Sequence, residues 1–155
     1  MRGARSGFTL IELMVVITVM TILTIVAAPS LRDFIVGQRA KTAAFSLVSS
    51  ATLARSEAVK RNADVQLLPV AASDWAGGWT VQVVSGATTL ASQDALNGVT
   101  MTASGTAVTA IRYGSNGRLT AAVSALDVQA GSSGNRRCVS FDTSGMPSSR
   151  LGACP

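Results

Sequence analysis

The sequence contains no histidine, only two cysteines and few charged residues. Charged side chains make up 14% of the 155 residues, against roughly 25% in a typical soluble chain. Without histidine the chain cannot form a Ser-His or Cys-His nucleophile pair or a His-ligated metal site. Two cysteines are also too few for a zinc site made of cysteine alone. No constellation of carboxylates or lysines replaces these groups, so we expect neither an enzyme nor a cofactor or metal site.

The excess of basic residues is mild. Thirteen Lys and Arg stand against eight Asp and Glu, for a formal charge of +5 and a pI near 10.2. Arg2 and Arg5 precede Phe8, which leaves eleven basic and eight acidic residues and a charge of +3 for the rest. That charge alone does not indicate nucleic-acid binding. The hydrophobic share of 48% argues against disorder and indicates apolar surface that meets lipid or other subunits.

One apolar segment, Phe8 to Ala28, is interrupted by a single ionisable residue, Glu12. As a helix it would span about 30 Å, the thickness of the hydrocarbon core of a bilayer. A cleaved secretory signal ending at Val26-Ala27-Ala28 and a plain membrane anchor are two alternatives. The segment is longer than the roughly 7–15 residues of a signal core. A carboxylate inside a membrane also usually has a partner, and neither alternative provides one for Glu12.

The residues around Glu12 resemble a known processing motif. Gly7-Phe8-Thr9-Leu10-Ile11-Glu12-Leu13 is similar to the motif of type IV prepilins and type II secretion pseudopilins. The resemblance implies that a membrane peptidase removes the leader 1–7 by cutting after Gly7 and methylates the new amino terminus at Phe8. It also implies that residues 8–29 form a transmembrane and assembly helix. Pro29 falls where pilins commonly carry a helix-disrupting proline.

The resemblance is physically consistent with Glu12. A cut after Gly7 would free an α-ammonium group on Phe8, at the same depth in the membrane as Glu12 of another subunit. Opposite charges attract far more strongly in a low-dielectric interior than in water, and an unpaired buried charge is heavily penalised. We therefore expect Glu12 to pair with the amino terminus of a neighbour and to set the axial register of assembly.

A second helical segment follows, over residues 30–61. Pro29 is expected to kink or loosen the helix near Ile25 to Ala28, because proline lacks an amide hydrogen. Beyond Gly37, small and apolar residues recur at helical spacing and predict a stripe that packs in a core. The stripe consists of Ala40, Ala44, Leu47, Val48, Ala51, Ala54 and Ala58. Glu57 and Arg61 are spaced for an ion pair on this helix.

From residue 62 to 155 the sequence indicates a β-rich head. The candidate strands are Val65–Leu68, Trp79–Val84, Val99–Thr102, Val108–Tyr113, Arg118–Val123 and Arg136–Phe141. The turn signals between them are Ala76-Gly77-Gly78, Asn97-Gly98, Ser115-Asn116-Gly117 and Ser132-Ser133-Gly134-Asn135. The predicted fold class is α+β and pilin-like, with a long amino-terminal helix packed on a small antiparallel sheet.

A second resemblance points to a subset of the pilin and pseudopilin class. Leu53 to Asn62, followed by Trp75 and Gly78-Trp79, is similar to the FimT- and FimU-type minor pilins and to the H-type pseudopilin of type II secretion. We interpret both tryptophans as residues that fill the core between helix and sheet or cover its edge, and not as ligand-binding residues.

The two cysteines, Cys138 and Cys154, lie near the carboxyl end. A head exported across the inner membrane would be in an oxidising compartment, where such a pair normally forms a disulfide. We expect a disulfide that fastens the end of the chain to the strand containing Cys138.

The carboxyl-terminal third contains several arginines. Some FimT-like pilins bind DNA through a Gly-Arg-x-Arg motif near the carboxyl end. This chain departs from that pattern, because Gly145 is followed by Met146-Pro147 and Gly117-Arg118 by Leu119-Thr120. We interpret the arginines as solvated or in contact with a neighbouring pilin. The remaining candidates for a DNA or partner contact are Arg118, Arg136, Arg137 and Arg150.

The function implied by these resemblances is that of a FimU-like minor pilin, a structural subunit that primes assembly of a type IV pilus or lies at its tip. The alternatives are an H-type pseudopilin of a type II secretion system and a DNA-binding FimT-like pilin. The implied partners are other minor and major pilins, the prepilin peptidase and the inner membrane, with DNA not favoured. The chain would cross the inner membrane once, with its amino end cytoplasmic and its head periplasmic, before entering a filament at the cell surface.

Overall fold

A computed structural model describes residues 8–131 and 136–155. The predicted leader, with Gly7, and the predicted turn at 132–135 lie outside the described residues. The chain forms two compact units, one ending at Ile35 and one comprising Val36–Pro155. We call the second unit the head.

A single long helix, α1, runs over Leu10–Arg61. It ends at the predicted residue because the backbone turns left-handed at Asn62, with φ of 50°. The Asn62 N–H donates to the Val59 carbonyl and the Ala63 N–H to the Ala58 carbonyl, which satisfies two carbonyls of the last turn. Lys60 and Arg61 add positive charge at this end of the helix dipole. The helix continues on both sides of Pro29, so the predicted loosening does not divide it; the proline side chain lies outside the described residues.

The described residues of the head form eight strands in two antiparallel sheets, where the sequence predicted one small sheet. The strands are β1 Val65–Ala71, β2 Asp74–Val83, β3 Thr89–Gln93, β4 Val99–Ala103, β5 Ile111–Tyr113, β6 Leu126–Ala130, β7 Arg136–Phe141 and β8 Pro147–Leu151. The first sheet has the order β3-β2-β1-β5, and the second has the order β4-β6-β7-β8. The fold class, a long helix packed on antiparallel strands, is confirmed.

The predicted strand Arg118–Val123 is wrong. Within it, Leu119 forms one isolated bridge to Tyr113, and the chain then crosses to the second sheet, where β6 begins at Leu126. The strands β3, β6 and β8 were not predicted. Two of them, β3 and β8, are edge strands whose sequences contain serine, alanine or proline in place of a run of β-branched residues.

The predicted turn at Ala76-Gly77-Gly78 is also wrong, because these residues lie inside β2. Gly78 has φ of +98°, and a Cβ there would lie 2.4 Å from the Gln93 carbonyl oxygen. The glycine therefore allows β3 to approach β2 closely, which is one of the ordinary reasons for glycine within a strand.

The core of the head lies between the second half of α1 and the two sheets. The predicted stripe supplies its helical side: all of its members are buried except Val48, which is half-buried. Trp75 and Trp79 are fully buried, as predicted, with ring centroids 6.2 Å apart. The Trp75 Nε1–H donates to the Val108 carbonyl at 2.7 Å, which satisfies its polar atom inside the core.

Candidate assembly site and head surface

The amino end of α1 is closed by a reciprocal pair of side chains, Thr9 and Glu12. Thr9 immediately precedes the helix, and both its N–H and its hydroxyl donate to Glu12 Oε2, at 2.8 and 2.9 Å. The Glu12 N–H donates to Thr9 Oγ1 at 3.3 Å. This arrangement is a capping box, in which threonine and a glutamate three residues later satisfy backbone donors at a helix start. The spacing of these two residues is visible in the sequence, but the partner expected for Glu12 was in another subunit.

The segment that follows is apolar and uncovered. Every described side chain from Phe8 to Ile35 is exposed, the proline side chain being outside the description. The first half of α1 is long and apolar enough to cross a membrane by length and composition. Glu12 is the one ionisable residue between Phe8 and Leu31. Such a surface needs lipid or other helices around it.

The predicted pairing of Phe8 with Glu12 is between subunits, so a single chain does not test it. Phe8 lies two residues before the start of α1 and is 78% exposed. Gly7 lies outside the described residues. The roles assigned to Gly7, Phe8, Glu12 and Pro29 therefore stay predictions.

The cysteines form the expected disulfide. Cys138 and Cys154 are bonded, with their Cα atoms 4.9 Å apart. Cys138 is fully buried in β7, opposite Arg150 of β8. The Gly152 N–H donates to the Arg136 carbonyl at 2.9 Å and extends the pairing beyond the end of β8. Disulfide and backbone pairing together hold the end of the chain on the second sheet.

Two of the four candidate arginines, Arg136 and Arg137, are engaged within the head. Arg136 Nε and Nη2 donate to Gln129 Oε1 at 3.0 and 2.8 Å, and its Nη1 lies 3.9 Å from Asp127 Oδ2. The Arg137 guanidinium lies over the Phe45 ring of α1, 5.8 Å from its centroid. Adjacent residues of a strand point to opposite faces, so the two guanidinium groups do not form one patch.

The other two candidates are exposed, and the register places one of them, Arg150, on the same face of the second sheet as Arg136, because it is opposite Cys138. Arg150 is exposed on β8, and Arg118 is exposed in the loop between β5 and β6. Because Arg137 points to the opposite face, over Phe45, the four predicted arginines do not form one patch.

The role of Arg55 was not predicted from the sequence. Its Nε donates to the Gly117 carbonyl at 3.0 Å, and its Nη1 donates to Met146 Sδ at 3.2 Å. One helical side chain thus holds a loop beside the first sheet and the β7–β8 turn of the second. The signal was weak, because nothing in the sequence marks Gly117 and Met146 as neighbours.

The β7–β8 turn is built on Asp142. Its Oδ1 accepts hydrogen bonds from the Ser144 hydroxyl at 2.7 Å and the Met146 N–H at 2.8 Å. These donors, the Ser144 hydroxyl first, hold the pKa of the Asp142 carboxyl below its ordinary value. On α1, the predicted ion pair between Glu57 and Arg61 is confirmed, and the hydrogen bond from Arg61 lowers the pKa of Glu57. Both carboxylates thus have structural roles.

No group of three or more His, Cys, Asp or Glu side chains that could hold a metal ion occurs within residues 8–131 and 136–155.

Comparisons with known proteins agree with this geometry. The family model described as type II transport protein GspH matches residues 43–145, and the model of the prokaryotic N-terminal methylation motif matches residues 2–28. No curated protein matches the chain. Among solved structures, the type IV minor pilin FimU of Pseudomonas aeruginosa strain PAO1 is similar in two crystal forms. For the first crystal form the TM-score is 0.63 at 22% sequence identity, and the alignment covers 71% of this chain and 91% of the FimU chain. The second has a TM-score of 0.62 at 20% identity, with coverage of 74% and 87%.

Proposed function

Because the chain belongs to the GspH family and carries the N-terminal methylation motif, we propose that it is a minor pilin that primes assembly of a type IV pilus or lies at its tip. The chain is a structural subunit of the minor pilin and pseudopilin class. Family and fold are those of structural pilins, which assemble with other pilins.

The proposal depends on one observation. Glu12 is the single ionisable residue of an apolar, exposed helical segment that directly follows a Gly-Phe processing motif. A buried charge needs a counter-charge, and an α-ammonium group freed on Phe8 of a neighbour supplies one. Attraction over a few ångströms in a low-dielectric bundle favours the register in which each Glu12 meets a neighbouring terminus. The geometry of the helix start supports this role, since Glu12 lies within its first turn.

The proposed sequence of events follows from that pairing. The prepilin peptidase cuts after Gly7 and methylates Phe8. The processed subunit then stays in the inner membrane, with its amino end cytoplasmic and its head periplasmic. Pairing between Phe8 and Glu12 of adjacent subunits draws it into the helical bundle at the start of a filament.

The test compares Glu12→Gln, which keeps the size of the side chain and removes its charge, with Glu57→Gln as a control on the same helix. We expect Glu12→Gln to be largely absent from sheared filaments and Glu57→Gln to be incorporated normally. Mass spectrometry of the wild-type subunit should find N-methylphenylalanine at its amino end. A wild-type subunit with its leader attached, or normal incorporation of Glu12→Gln, would contradict the proposal.

The second candidate is an H-type pseudopilin of a type II secretion system, and the description of the matching family favours it. The pairing between Phe8 and Glu12 would be the same in both roles, but the subunit would serve a secretion system in place of a pilus. Deletion of the gene separates the two, since loss of surface pili indicates the first role and loss of secreted enzymes indicates the second. We do not extend the proposal to DNA, because Arg136 and Arg137 are already engaged.

A further inference from the structure

We propose that Asn97 is a site of spontaneous covalent modification, at which the side-chain amide is lost and a carboxylate forms beside Arg39. The inference does not depend on the proposed function, because it concerns the head alone. It starts from a comparison of the two Asn-Gly pairs of the chain, Asn97-Gly98 and Asn116-Gly117. Asparagine followed by glycine is especially prone to this reaction, because glycine has no side chain to shield its backbone nitrogen.

The first pair, Asn97-Gly98, lies in an exposed turn between β3 and β4, which belong to different sheets. Gly98 has φ of +73°, so this turn favours glycine. The turn is closed by a long hydrogen bond, from the Val99 N–H to the Leu96 carbonyl at 3.4 Å. Neither the Gly98 N–H nor the Asn97 side chain bonds to another residue that the structure describes. The backbone nitrogen and the side-chain amide are therefore both open to water.

The second pair, Asn116-Gly117, has the same two residues in a restrained turn. The Gly117 N–H donates to the Gly114 carbonyl at 2.8 Å, and Asn116 Oδ1 accepts from the Arg118 N–H at 2.9 Å. Gly117 is buried, and its carbonyl accepts from Arg55 Nε of α1 at 3.0 Å. The backbone nitrogen of this pair is thus hydrogen-bonded and covered, although the Asn116 side chain is exposed.

The reaction at Asn97 needs only water. The Gly98 nitrogen loses its proton and bonds to Asn97 Cγ, the bond between Cγ and Nδ2 breaks, and Nδ2 takes up a proton and leaves as ammonia. The product is a cyclic imide. Water opens this ring at Cγ, which gives aspartate, or at the backbone carbonyl of the former asparagine, which gives isoaspartate. Water is consumed and ammonia is released, and no group is oxidised or reduced.

Arg39 of α1 lies beside this turn. A Cβ on Gly98 would be 3.1 Å from Arg39 Nη1. A positive charge at this place favours loss of the proton from the Gly98 nitrogen and stabilises the oxyanion that forms as the ring closes. The same guanidinium can pair with the carboxylate of the product. Modification would therefore add a negative charge at the connection between the two sheets and, in isoaspartate, would also lengthen the main chain there.

The experiment follows both asparagines in the purified full-length chain, held in detergent micelles in a mildly alkaline buffer. Trypsin separates them, since Asn97 lies between Arg61 and Arg112 and Asn116 lies between Arg112 and Arg118. Mass spectrometry of the peptides detects replacement of the amide NH2 by OH, and enzymatic methylation detects isoaspartate. We expect Asn97 to react faster than Asn116 by about tenfold or more, because Asn116 reacts only when its turn opens.

Unfolding provides the control. In concentrated urea both pairs lose their turns, so the two rates should become similar. Equal rates at Asn97 and Asn116 in the folded chain would overturn the inference, as would an Asn97 that reacts in urea and stays unmodified in the folded chain. A difference that persists in urea would also overturn it, because the cause would then be the neighbouring residues in the sequence and not the fold.

A charge variant tests the role of Arg39. Arg39→Gln should slow the reaction at Asn97 by about twofold to fivefold, as for removal of one charge a few ångströms away in water. Lys41→Gln is the matched control, since it removes a charge from the same helix beside Phe45 and should leave the rate unchanged. An unchanged rate in Arg39→Gln, or equal slowing by both variants, would refute the role assigned to Arg39.

Discussion

The two halves of α1 differ both in apolar content and in surroundings. Of the 26 residues from Leu10 to Ile35, 18 are apolar, against 12 of the 26 from Val36 to Arg61. From Leu10 to Ile35 the described side chains are exposed, including leucine, isoleucine and valine. From Val36 to Arg61 the apolar residues of the stripe other than Val48 are buried at 0–1% exposure, and most of them are alanines. The first half has large apolar side chains without a core, whereas the second has small ones within a core.

The comparison shows that the number, size and arrangement of apolar side chains together determine what a helix packs against. The second half buries a narrow face against sheets, and alanine permits that close approach. The first half presents apolar groups all round, which is typical of a helix surrounded by lipid or by other subunits. Mutations of equal chemistry in the two halves should therefore affect different properties.

The largest contrast is expected between Trp75→Ala in the head and Leu23→Ala in the first half of α1. Trp75 is fully buried and donates to Val108, so its truncation should reduce the free energy of unfolding of the head by about 3–5 kcal/mol. Leu23 is 60% exposed and should leave head unfolding unchanged. Urea unfolding of the mature chain in detergent micelles measures both. A comparable loss of unfolding free energy for Leu23→Ala would show that the first half of α1 contributes to the stability of the head.

The next effect concerns the disulfide, which has no counterpart in the first half. The double variant Cys138→Ala, Cys154→Ala should lower the free energy of unfolding of the head by about 3 kcal/mol, as for a closed loop of this size. Hydrogen exchange should accelerate first in β8, whose outer side has no neighbouring strand. Unchanged exchange in β8 would mean that backbone pairing alone holds the carboxyl end.

A smaller effect is expected from enlarging the alanine stripe. Ala44 is fully buried, and Ala44→Leu should destabilise the head by about 1–3 kcal/mol through overpacking. Ser49 lies on the exposed side of the same helix, so Ser49→Leu is the matched control and should have little effect. The measurement is the melting temperature of each variant relative to that of the wild type. If both melting temperatures fall equally, the stripe does not limit the approach of the sheets.

The smallest effect is a dependence on alkaline pH. Burial raises the pKa of Tyr113 to about 12, with Arg55 opposing and Asp142 adding to the shift. An unfolded tyrosine ionises near pH 10, so the stability linked to Tyr113 is present below pH 10 and is lost as the pH rises towards 12. Tyr113→Phe should lose less stability over this interval.

The measurement is direct because the chain has one tyrosine, so phenolate absorbance reports on Tyr113 alone. Ionisation of the folded protein near pH 10 would show that the ring is hydrated.

Much of the helix and part of the sheet could be predicted from the sequence. The end of α1 at Arg61 and the buried stripe follow from periodicity, which is a local property. The strand β7 was predicted with its observed bounds, and β1, β2, β4 and β5 were located with shifted ends. The missed strand β6 did carry a signal, since Leu126, Val128 and Ala130 alternate with polar residues.

The candidate site divides in the same way. The apolar segment, its single glutamate and the two cysteines can be identified directly from the sequence. The hydrogen bonds of Thr9 and those between Arg136 and Gln129 could be identified only in the three-dimensional structure, because they depend on side-chain rotamers and on strand register.

The sequence by itself determined the long helix, its apolar first half with one acid, its alanine-lined second half and the cysteines available for a disulfide. These features are set by composition and by spacing within a few residues. Only the tertiary structure decided that the strands divide between two sheets, and that Arg55 joins Gly117 to Met146. Such contacts join residues 62 to 91 positions apart, and no local pattern specifies which distant edge or loop a side chain will meet.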